Sequence, residues 1–333
     1  LPWRKTKNPY YIWLSEIILQ QTRVAQGMPY YLKFVEAFPT VGDLANATEE
    51  QVLKLWQGLG YYSRARNLHA TAQYVAGELD SVFPDTYEDL KQLKGVGDYT
   101  ASAIGSICFD LPTAVVDGNV YRVLSRVFGI ATPINSSAGI REFKELAQLL
   151  IDREQPGTFN QAIMEFGARH CTPQQPKCEI CVFANQCKAL ETKQVDRLPV
   201  KLKKAKVKKH HFNYIVPVSS DDRTILEQRR GKGIWENLYQ FPLVESTSEV
   251  DTGELMELPD FQKLSHRLKI DSVVPYRDGS VVHKLSHKHL YTRFWIAEVA
   301  ELQDEGVPYA RVHQYPVPIL LGNFISEFSL FRD

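Results

Sequence analysis

The sequence lacks the features that would mark a membrane protein or a strongly charged one. It has no apolar run long enough to span a bilayer and no recognisable signal peptide. Its 39 Lys and Arg residues balance 39 Asp and Glu residues, so bulk charge gives no support to nucleic-acid binding and any such partner must meet local positive charge. The chain begins at Leu1 rather than at methionine, which leaves a preceding segment and a targeting signal open.

Cysteine is scarce outside one short segment. Four of the five cysteines lie close together, as Cys171-x6-Cys178-x2-Cys181-x5-Cys187. Such a cluster is typical of a metal site in a reducing compartment rather than of a disulfide framework. Cysteine-only ligation suits zinc or an iron–sulfur cluster, and the spacing alone does not choose between them. The remaining Cys108 lies in an apolar run and is predicted to be a core residue.

The length of 333 residues predicts two domains rather than one. A content of 44% apolar and 23% charged residues is ordinary for a globular protein. The composition changes at residues 201–211, KLKKAKVKKHH, where six lysines and no acidic residue predict an interdomain connector. Helical periodicity precedes this run, and short strand-like segments follow it.

A glycine turn and an acidic helix start lie close together in the chain. In LKGVG, Gly95 and Gly97 precede a predicted helix over 98–109, and the free N–H groups of a helix start favour one phosphate. Asp117 precedes a second predicted helix over 119–128, where a carboxylate is stabilised. Taken singly, each pattern is also that of an ordinary turn or helix cap.

Near the start of the chain, Asn8-Pro9 predicts the beginning of a helix that continues through YYIWLSEIILQQTRVAQGM. Glu16, Gln20 and Arg23 then fall on one polar stripe of this helix. On this pattern alone, Glu16 is a solvated glutamate paired with Arg23.

Together these motifs are specific. The string L-x-G-V-G-x-Y-T-A, followed by V-D-G-N-V-x-R-V, resembles the helix-hairpin-helix and catalytic aspartate of base-excision DNA glycosylases related to endonuclease III. The string W-L-S-E-I-x-L-Q-Q-T narrows the resemblance to MutY-type adenine DNA glycosylases. The resemblance implies an all-α glycosylase domain over 1–195 (helix-hairpin-helix about 86–109), a linker over 196–211 and an α+β Nudix-like domain over 212–333. It is dense up to Cys187 and loose after His211.

The same resemblance implies roles for individual residues. Glu16 becomes the acid that protonates N7 of a flipped adenine, and Asp117 the ionised carboxylate that stabilises or captures the sugar cation. Tyr99 and Asn119 complete the predicted catalytic set. The implied adenine-pocket residues are Trp3, Arg4, Leu19 and Gln161. The implied DNA-binding residues are Gln20, Gln21 and Thr22, the intercalating Tyr61, and the phosphate-binding turn of Leu93, Gly95, Val96 and Gly97.

The resemblance also implies a cofactor and a partner. The cysteine spacing matches the [4Fe–4S] loop of endonuclease III and MutY enzymes, with a structural role. The expected partner is double-stranded DNA that contains an 8-oxoguanine:adenine mispair. A monomer with no membrane association, in the bacterial cytoplasm at the nucleoid, is the expected form.

The second domain contains I-W-E-N-L-Y-Q-F-P, which resembles the approach to a Nudix signature, but no R-E-x-x-E-E cluster follows. Without those Mg²⁺ ligands the domain is predicted to bind rather than hydrolyse. Leu285-Ser286-His287 stands where MutY relatives carry a Phe-Ser-His triplet that recognises 8-oxoguanine. Leu285 removes the aromatic ring, so the polar contacts transfer more safely than the stacking. Without the resemblance, this triplet is a polar loop beside His283 and His289.

Two other functions remain to be separated from this one. An endonuclease III-like glycosylase with lyase activity on oxidised pyrimidines needs a lysine for its Schiff base, and Tyr99 stands at the position of that lysine. A catalytically silent lesion-binding protein is disfavoured because both carboxylates are present in their motifs.

Overall fold

A computed structural model of the chain describes residues 1–203 and 207–332. It divides into two compact units, which we call the helical unit (Leu1–Ala47 with Arg66–Lys204) and the mixed unit (Thr48–Ala65 with Ala205–Asp333). The predicted connector falls partly on residues 204–206, which lie outside the described residues. Among the described residues, no helix is both long and apolar enough to cross a bilayer.

The helical unit is built from amphipathic helices that bury their apolar faces against one another. Local signals set their starts: the Asn8 side chain accepts a hydrogen bond from the Tyr10 N–H, and Thr40 forms a capping box with Asp43. The helices before the phosphate-binding turn are α1 (Pro9–Leu19), α2 (Val24–Ala37), α3 (Val41–Asn46), α5 (Ser63–Glu78, whose first residues belong to the mixed unit) and α6 (Tyr87–Gln92). Those after it are α7 (Asp98–Cys108), α8 (Gly118–Phe128), α9 (Ser137–Leu150), α10 (Pro156–Arg169) and α11 (Lys188–Glu191).

One predicted helix is wrong in its length. α1 ends at Leu19, and the chain turns before α2 begins at Val24. Gln21 adopts a left-handed φ of 55°, which breaks the helical path. Glu16, Gln20 and Arg23 therefore do not share a helical stripe, and the Gln20–Thr22 segment is a turn rather than part of the helix that carries Glu16.

The predicted helix-hairpin-helix is present as α6, the turn over 93–97 and α7. Gly95 has a φ of 84°, and a Cβ placed on it would lie 2.9 Å from the Cβ of Asn67, so a glycine is required there. At Gly97 the backbone is extended and a Cβ would meet nothing within 4 Å. The surface beside Gly97 is therefore open, which is compatible with the phosphate-binding role predicted for this turn.

The mixed unit is organised around two long parallel strands, β1 (Lys208–Ser219) and β8 (Lys288–Val299). The five-stranded sheet has the order β5-β1-β8-β6, and β7 also pairs with β8. Helices α12 (Thr252–Glu257) and α13 (Pro259–Leu268) cover one face around Ile215 and Trp295, and Phe324 of α14 (Ile319–Glu327) stacks 4.2 Å from Phe294 on the other. The remaining strands are β2 (Arg223–Thr224), β3 (Glu227–Gln228), β4 (Tyr239–Gln240), β5 (Leu243–Ser246), β6 (Ile270–Pro275), β7 (Val281–Lys284) and β9 (Val307–Pro308).

The units differ from the predicted domains in two respects. β1 begins at Lys208, inside the predicted linker over 196–211, and residues 48–65 group with the mixed unit. This segment contains α4 (Glu49–Trp56), whose Lys54 ammonium donates to the carbonyls of His313 and Tyr315. Tyr239 donates to the Glu50 carboxylate at 2.6 Å. These side-chain bonds span some 190 residues or more of sequence, so periodicity within the segment gives no sign of them.

Candidate active site and iron–sulfur loop

The helical unit contains a cavity of about 530 Å³ that brings together most of the predicted catalytic and adenine-pocket residues. It lies among the N-terminal turn, α1, α7, the start of α8 and α10. Its lining residues are Leu1, Trp3, Arg4, Ile12, Glu16, Leu19, Gln20, Gln21, Val24, Tyr99, Ile107, Asp117, Gly118, Asn119, Gln161, Met164, Glu165 and Ala168.

Glu16 projects from α1 into this cavity and is half-buried. Loss of solvation raises the pKa of its carboxyl to about 7. A hydrogen bond from Tyr99 lowers this pKa, the charge of Asp117 raises it, and the charge of Arg4 lowers it, all by less than burial does. The solvated, Arg23-paired glutamate that the pattern alone suggested is therefore not the arrangement found.

Asp117 caps the N-terminus of α8, as its position before the helix predicted. Its Oδ1 accepts from the N–H groups of Asn119 and Val120, each at 2.8 Å, and its Oδ2 accepts from Asn119 Nδ2 at 2.8 Å. Asn119 is itself held by Arg122, whose Nη2 donates to the amide oxygen at 2.9 Å. These donors fix the orientation of the carboxylate, and charge-assisted bonds of this kind stabilise its negative charge.

Tyr99 occupies the position where a lyase would carry its lysine. Its hydroxyl donates to the Glu16 carboxyl and also lies 3.3 Å from Met164 Sδ. Burial raises the pKa of this hydroxyl well above its ordinary value, and the neighbouring carboxylates raise it further. The group is thus a neutral hydrogen-bond donor beside Glu16.

All four predicted adenine-pocket residues line the cavity, but sequence reasoning missed two of their neighbours. Met164 and Glu165 lie on α10 one turn beyond Gln161, and Glu165 accepts from Arg4 Nη1 at 3.0 Å. Because residues three and four apart share a helix face, the position of Gln161 was a signal for both.

The predicted DNA-binding residues of the helical unit fall into two groups. Gln20 and Gln21 line the cavity, Gln20 Nε2 lies 3.3 Å from Thr100 Oγ1, and Thr22 is half-buried in the same turn. Leu93 and Val96 are only 2% and 6% exposed. Their side chains therefore belong to the core, so a phosphate at this turn would meet its main-chain groups, and the predicted contact with DNA stays a prediction.

In the mixed unit, Tyr61 and the predicted lesion-reading triplet come together. Tyr61 is 47% exposed, adopts a φ of 47°, and shares a hydrogen bond between its hydroxyl and that of Ser286. The triplet forms the tip of the β7–β8 hairpin, which the Leu285 N–H closes by donating to the Lys288 carbonyl at 2.8 Å. Ser286 and His287 are exposed, and Leu285 is half-buried.

The four clustered cysteines line one cleft, together with Arg126 and Phe166 and without any carboxylate. Arg126 Nη1 lies 3.5 Å from Cys171 Sγ, and burial together with the other three cysteines raises the pKa of the Cys178 thiol. Four cysteines on one cleft beside a buried cation suit an anionic iron–sulfur cluster, which Cys171, Cys178, Cys181 and Cys187 would hold. When bound, the cluster would tie together the loop over 171–187.

Three segments of the chain match known protein families. Residues 14–149 match the HhH-GPD superfamily of base excision DNA repair proteins, 171–187 match the iron–sulfur binding domain of endonuclease III, and 213–327 match a NUDIX domain. A solved structure of a thermostable thymine-DNA glycosylase is similar over 58% of this chain and 88% of that chain, with a TM-score of 0.54 and 30% identity. A non-covalent endonuclease III–DNA complex shares the fold, with a TM-score of 0.50 and 23% identity over 56% of this chain and 86% of that one.

Curated relatives cover more of the sequence. An adenine DNA glycosylase of Buchnera aphidicola from Schizaphis graminum is 37% identical over 291 residues, which span 87% of this chain and 81% of the relative. The adenine DNA glycosylase of Rattus norvegicus is 49% identical over 198 residues, or 57% of this chain and 38% of the relative. With its paired carboxylates, glycine turn and cysteine loop, the chain belongs to the adenine DNA glycosylases, base-excision repair hydrolases that carry a [4Fe–4S] cluster.

Proposed function

We propose that this enzyme removes adenine paired with 8-oxoguanine in double-stranded DNA, and that it does so as a monofunctional glycosylase. The observation that carries the proposal is the pairing of two unlike carboxyl groups in one cavity. Glu16 has a pKa of about 7 because it is desolvated, whereas Asp117 is held by three N–H donors. One acid that can give a proton and one anion beside it suit glycosidic bond cleavage.

In the proposed reaction the adenine leaves the helix and enters the cavity. Glu16 gives its proton to N7 while the C1′–N9 bond breaks and its electron pair passes to the base. Asp117 stabilises the positive charge on the sugar, or captures it covalently, until water adds at C1′ and its released proton passes to the Glu16 carboxylate or to solvent. Asn119 keeps the Asp117 carboxylate oriented, and Tyr99 donates to Glu16.

The remaining lining residues suit recognition of a purine. Trp3 is buried against Tyr31, with ring centroids 4.8 Å apart, and gives the cavity an apolar wall. Gln161, Arg4 and Leu19 supply the polar and apolar groups that we assign to the adenine. Gln20, Gln21 and Thr22 lie in the adjacent turn, where they would occupy the space that the extruded base leaves.

The opposite base is assigned to the mixed unit. The hydroxyl of Ser286 and the imidazole of His287 are exposed at a hairpin tip and offer hydrogen bonds to the edge of 8-oxoguanine. Tyr61, bonded to Ser286, is the exposed ring that we assign to wedging between bases. Leu285 is half-buried and replaces the expected aromatic ring with an aliphatic contact.

A lyase step finds no support in the cavity. Among the described residues that line it none is a lysine, and the lyase position is the hydroxyl of Tyr99. Borohydride trapping should therefore give no efficient covalent complex with DNA. We further assign activity to a monomer, because one helical unit supplies both carboxylates. The bacterial cytoplasm, at the nucleoid, is the location we assign to it.

Single-turnover excision from duplexes that carry adenine opposite 8-oxoguanine, guanine or cytosine tests the mispair assignment. We expect the fastest excision opposite 8-oxoguanine, slower excision opposite guanine and the slowest opposite cytosine. Equal rates for all three opposite bases would contradict lesion-specific recognition, and strong trapping by borohydride would contradict the monofunctional mechanism.

A further inference from the structure

The long strands of the mixed unit extend beyond the helices that cover them. On the face that carries Ile215 and Trp295, α12 and α13 close the apolar core. The next row of register partners, towards the β7–β8 hairpin, contains Arg293. Its guanidinium donates to the Val250 carbonyl, so the loop before α12 covers that row. The two rows beyond it lie on the same face, since side chains two residues apart along a strand point the same way, and no described helix of the core covers them.

These two rows form a cationic and aromatic patch, which we call the basic sheet end. In one row Lys284, His289 and Lys209 are register partners, and in the next row Tyr291 pairs with His211 on one side and Val282 on the other. Lys209, Lys284 and Val282 are exposed, and His289, Tyr291 and His211 are half-buried. The rows contain no acidic residue. Glu249 accepts from Ser280, which precedes β7, and Glu245 lies on the opposite face near His210.

The patch is partly preorganised. The Tyr291 ring stacks on His211, with centroids 5.1 Å apart and planes at 22°, and the Lys209 ammonium lies 5.7 Å from the centre of the same ring. A cation held over an aromatic ring loses less freedom when it meets an anion. The patch also leads directly to the hairpin tip that carries Ser286 and His287.

From this juxtaposition we propose that the basic sheet end binds the phosphate backbone of the DNA strand whose base the hairpin tip reads. Lys209 and Lys284 contact phosphates, and Tyr291 with His211 and His289 holds the surface around them. The contact is independent of base sequence, because ammonium groups and phosphates carry no base information. This contact explains how a chain of zero formal net charge concentrates positive charge beside the tip of the β7–β8 hairpin. The identity of the strand rests on the proposed function, whereas the phosphate contact does not.

The test is the salt dependence of DNA binding by the full-length protein, measured with two duplexes. One carries a non-cleavable 2′-fluoro-adenosine opposite 8-oxoguanine, and the other is undamaged. The double variant Lys209→Gln with Lys284→Gln removes two cations and keeps their aliphatic stems. Each lost phosphate contact should reduce the slope of log K against log salt by about 1, and affinity for both duplexes should fall by similar factors.

The matched control is Lys263→Gln with Arg267→Gln, which removes two exposed cations from α13 of the same unit. The control should leave the slope unchanged, and thermal unfolding should show that both double variants are folded. A slope unchanged in the Lys209 and Lys284 variant, or reduced equally in the control, would overturn the proposal. Weakening confined to the lesion duplex would also overturn it, since that result indicates base reading rather than phosphate contact.

Failure of this proposal is distinguishable from failure of the proposed function. The phosphate contact is tested by the salt slope of the double variant on the undamaged duplex, whereas the proposed function is tested by the excision rates of the unsubstituted protein opposite the three bases. A reduced slope in the double variant together with equal excision rates of the unsubstituted protein would contradict the proposed function alone. An unchanged slope together with excision that is fastest opposite 8-oxoguanine would contradict the phosphate contact alone.

Discussion

The catalytic cavity and the basic sheet end are built in opposite ways. The cavity depends on burial: Glu16 acquires its high pKa because solvent is excluded, and Asp117 is fixed by donors within three residues of it. The sheet end depends on exposure, and its members come from three strands far apart in sequence. Chemistry on a base thus requires a desolvated group, whereas a contact with the backbone requires charge that stays in water.

The largest effect is expected from the acid of the cavity. Glu16→Gln keeps the shape but has no acidic proton, so single-turnover excision opposite 8-oxoguanine should fall by roughly 10² to 10⁴. Glu142→Gln, at an exposed position of α9, is the matched control and should excise adenine at the native rate. A native excision rate in Glu16→Gln would contradict the assignment of Glu16 as the acid.

The second effect concerns pH and sharpens the role of burial. Because only the protonated Glu16 carboxyl is active, and its pKa is raised to about 7, the single-turnover rate should be constant at lower pH and fall above pH 7. The limiting decrease is about tenfold per pH unit, as for one titrating group. The charged or titratable groups that face it are Tyr99, Asp117, Arg4 and Cys108. An excision rate of the native enzyme that rises through pH 7 would contradict this assignment. A residual rate of Glu16→Gln that shows the same decrease above pH 7 would also contradict it.

The smallest effect is expected at the tip of the β7–β8 hairpin. Ser286→Ala removes one exposed hydroxyl and its bond to Tyr61, and one hydrogen bond contributes about 1 kcal/mol. Preference for 8-oxoguanine over guanine opposite adenine should fall roughly fivefold, while the salt slope and the pH profile stay unchanged. Ser280→Ala, before β7 in the same unit, is the control, and an equal loss of preference there would remove the special role of Ser286.

Several features could be predicted from sequence because they depend on neighbours in the chain. The caps at Asn8 and Asp117, the helix-hairpin-helix and the absence of a lyase lysine were all evident from short strings, and the family matches confirm the fold and the cofactor. The roles assigned to Glu16, Asp117 and the other site residues stay predictions, although the structure places the catalytic set in one cavity.

Other features depended on contacts that no short string contains. The break after Leu19 comes from a left-handed Gln21, and the grouping of residues 48–65 with the mixed unit comes from bonds such as that between Glu50 and Tyr239. Strand register likewise decided which lysines, histidines and tyrosine share a face at the basic sheet end. Periodicity cannot reveal these pairings, since the partners lie far apart in sequence, as Glu50 and Tyr239 do at a separation of 189 residues.

The sequence by itself determined which chemical groups this protein has: a glutamate and an aspartate in specific motifs, a glycine turn and four clustered thiols. The tertiary structure alone decided how deeply those groups are buried and which residues surround them. Burial and charge are properties of a surrounding volume, and folding brings into that volume residues that are distant along the chain.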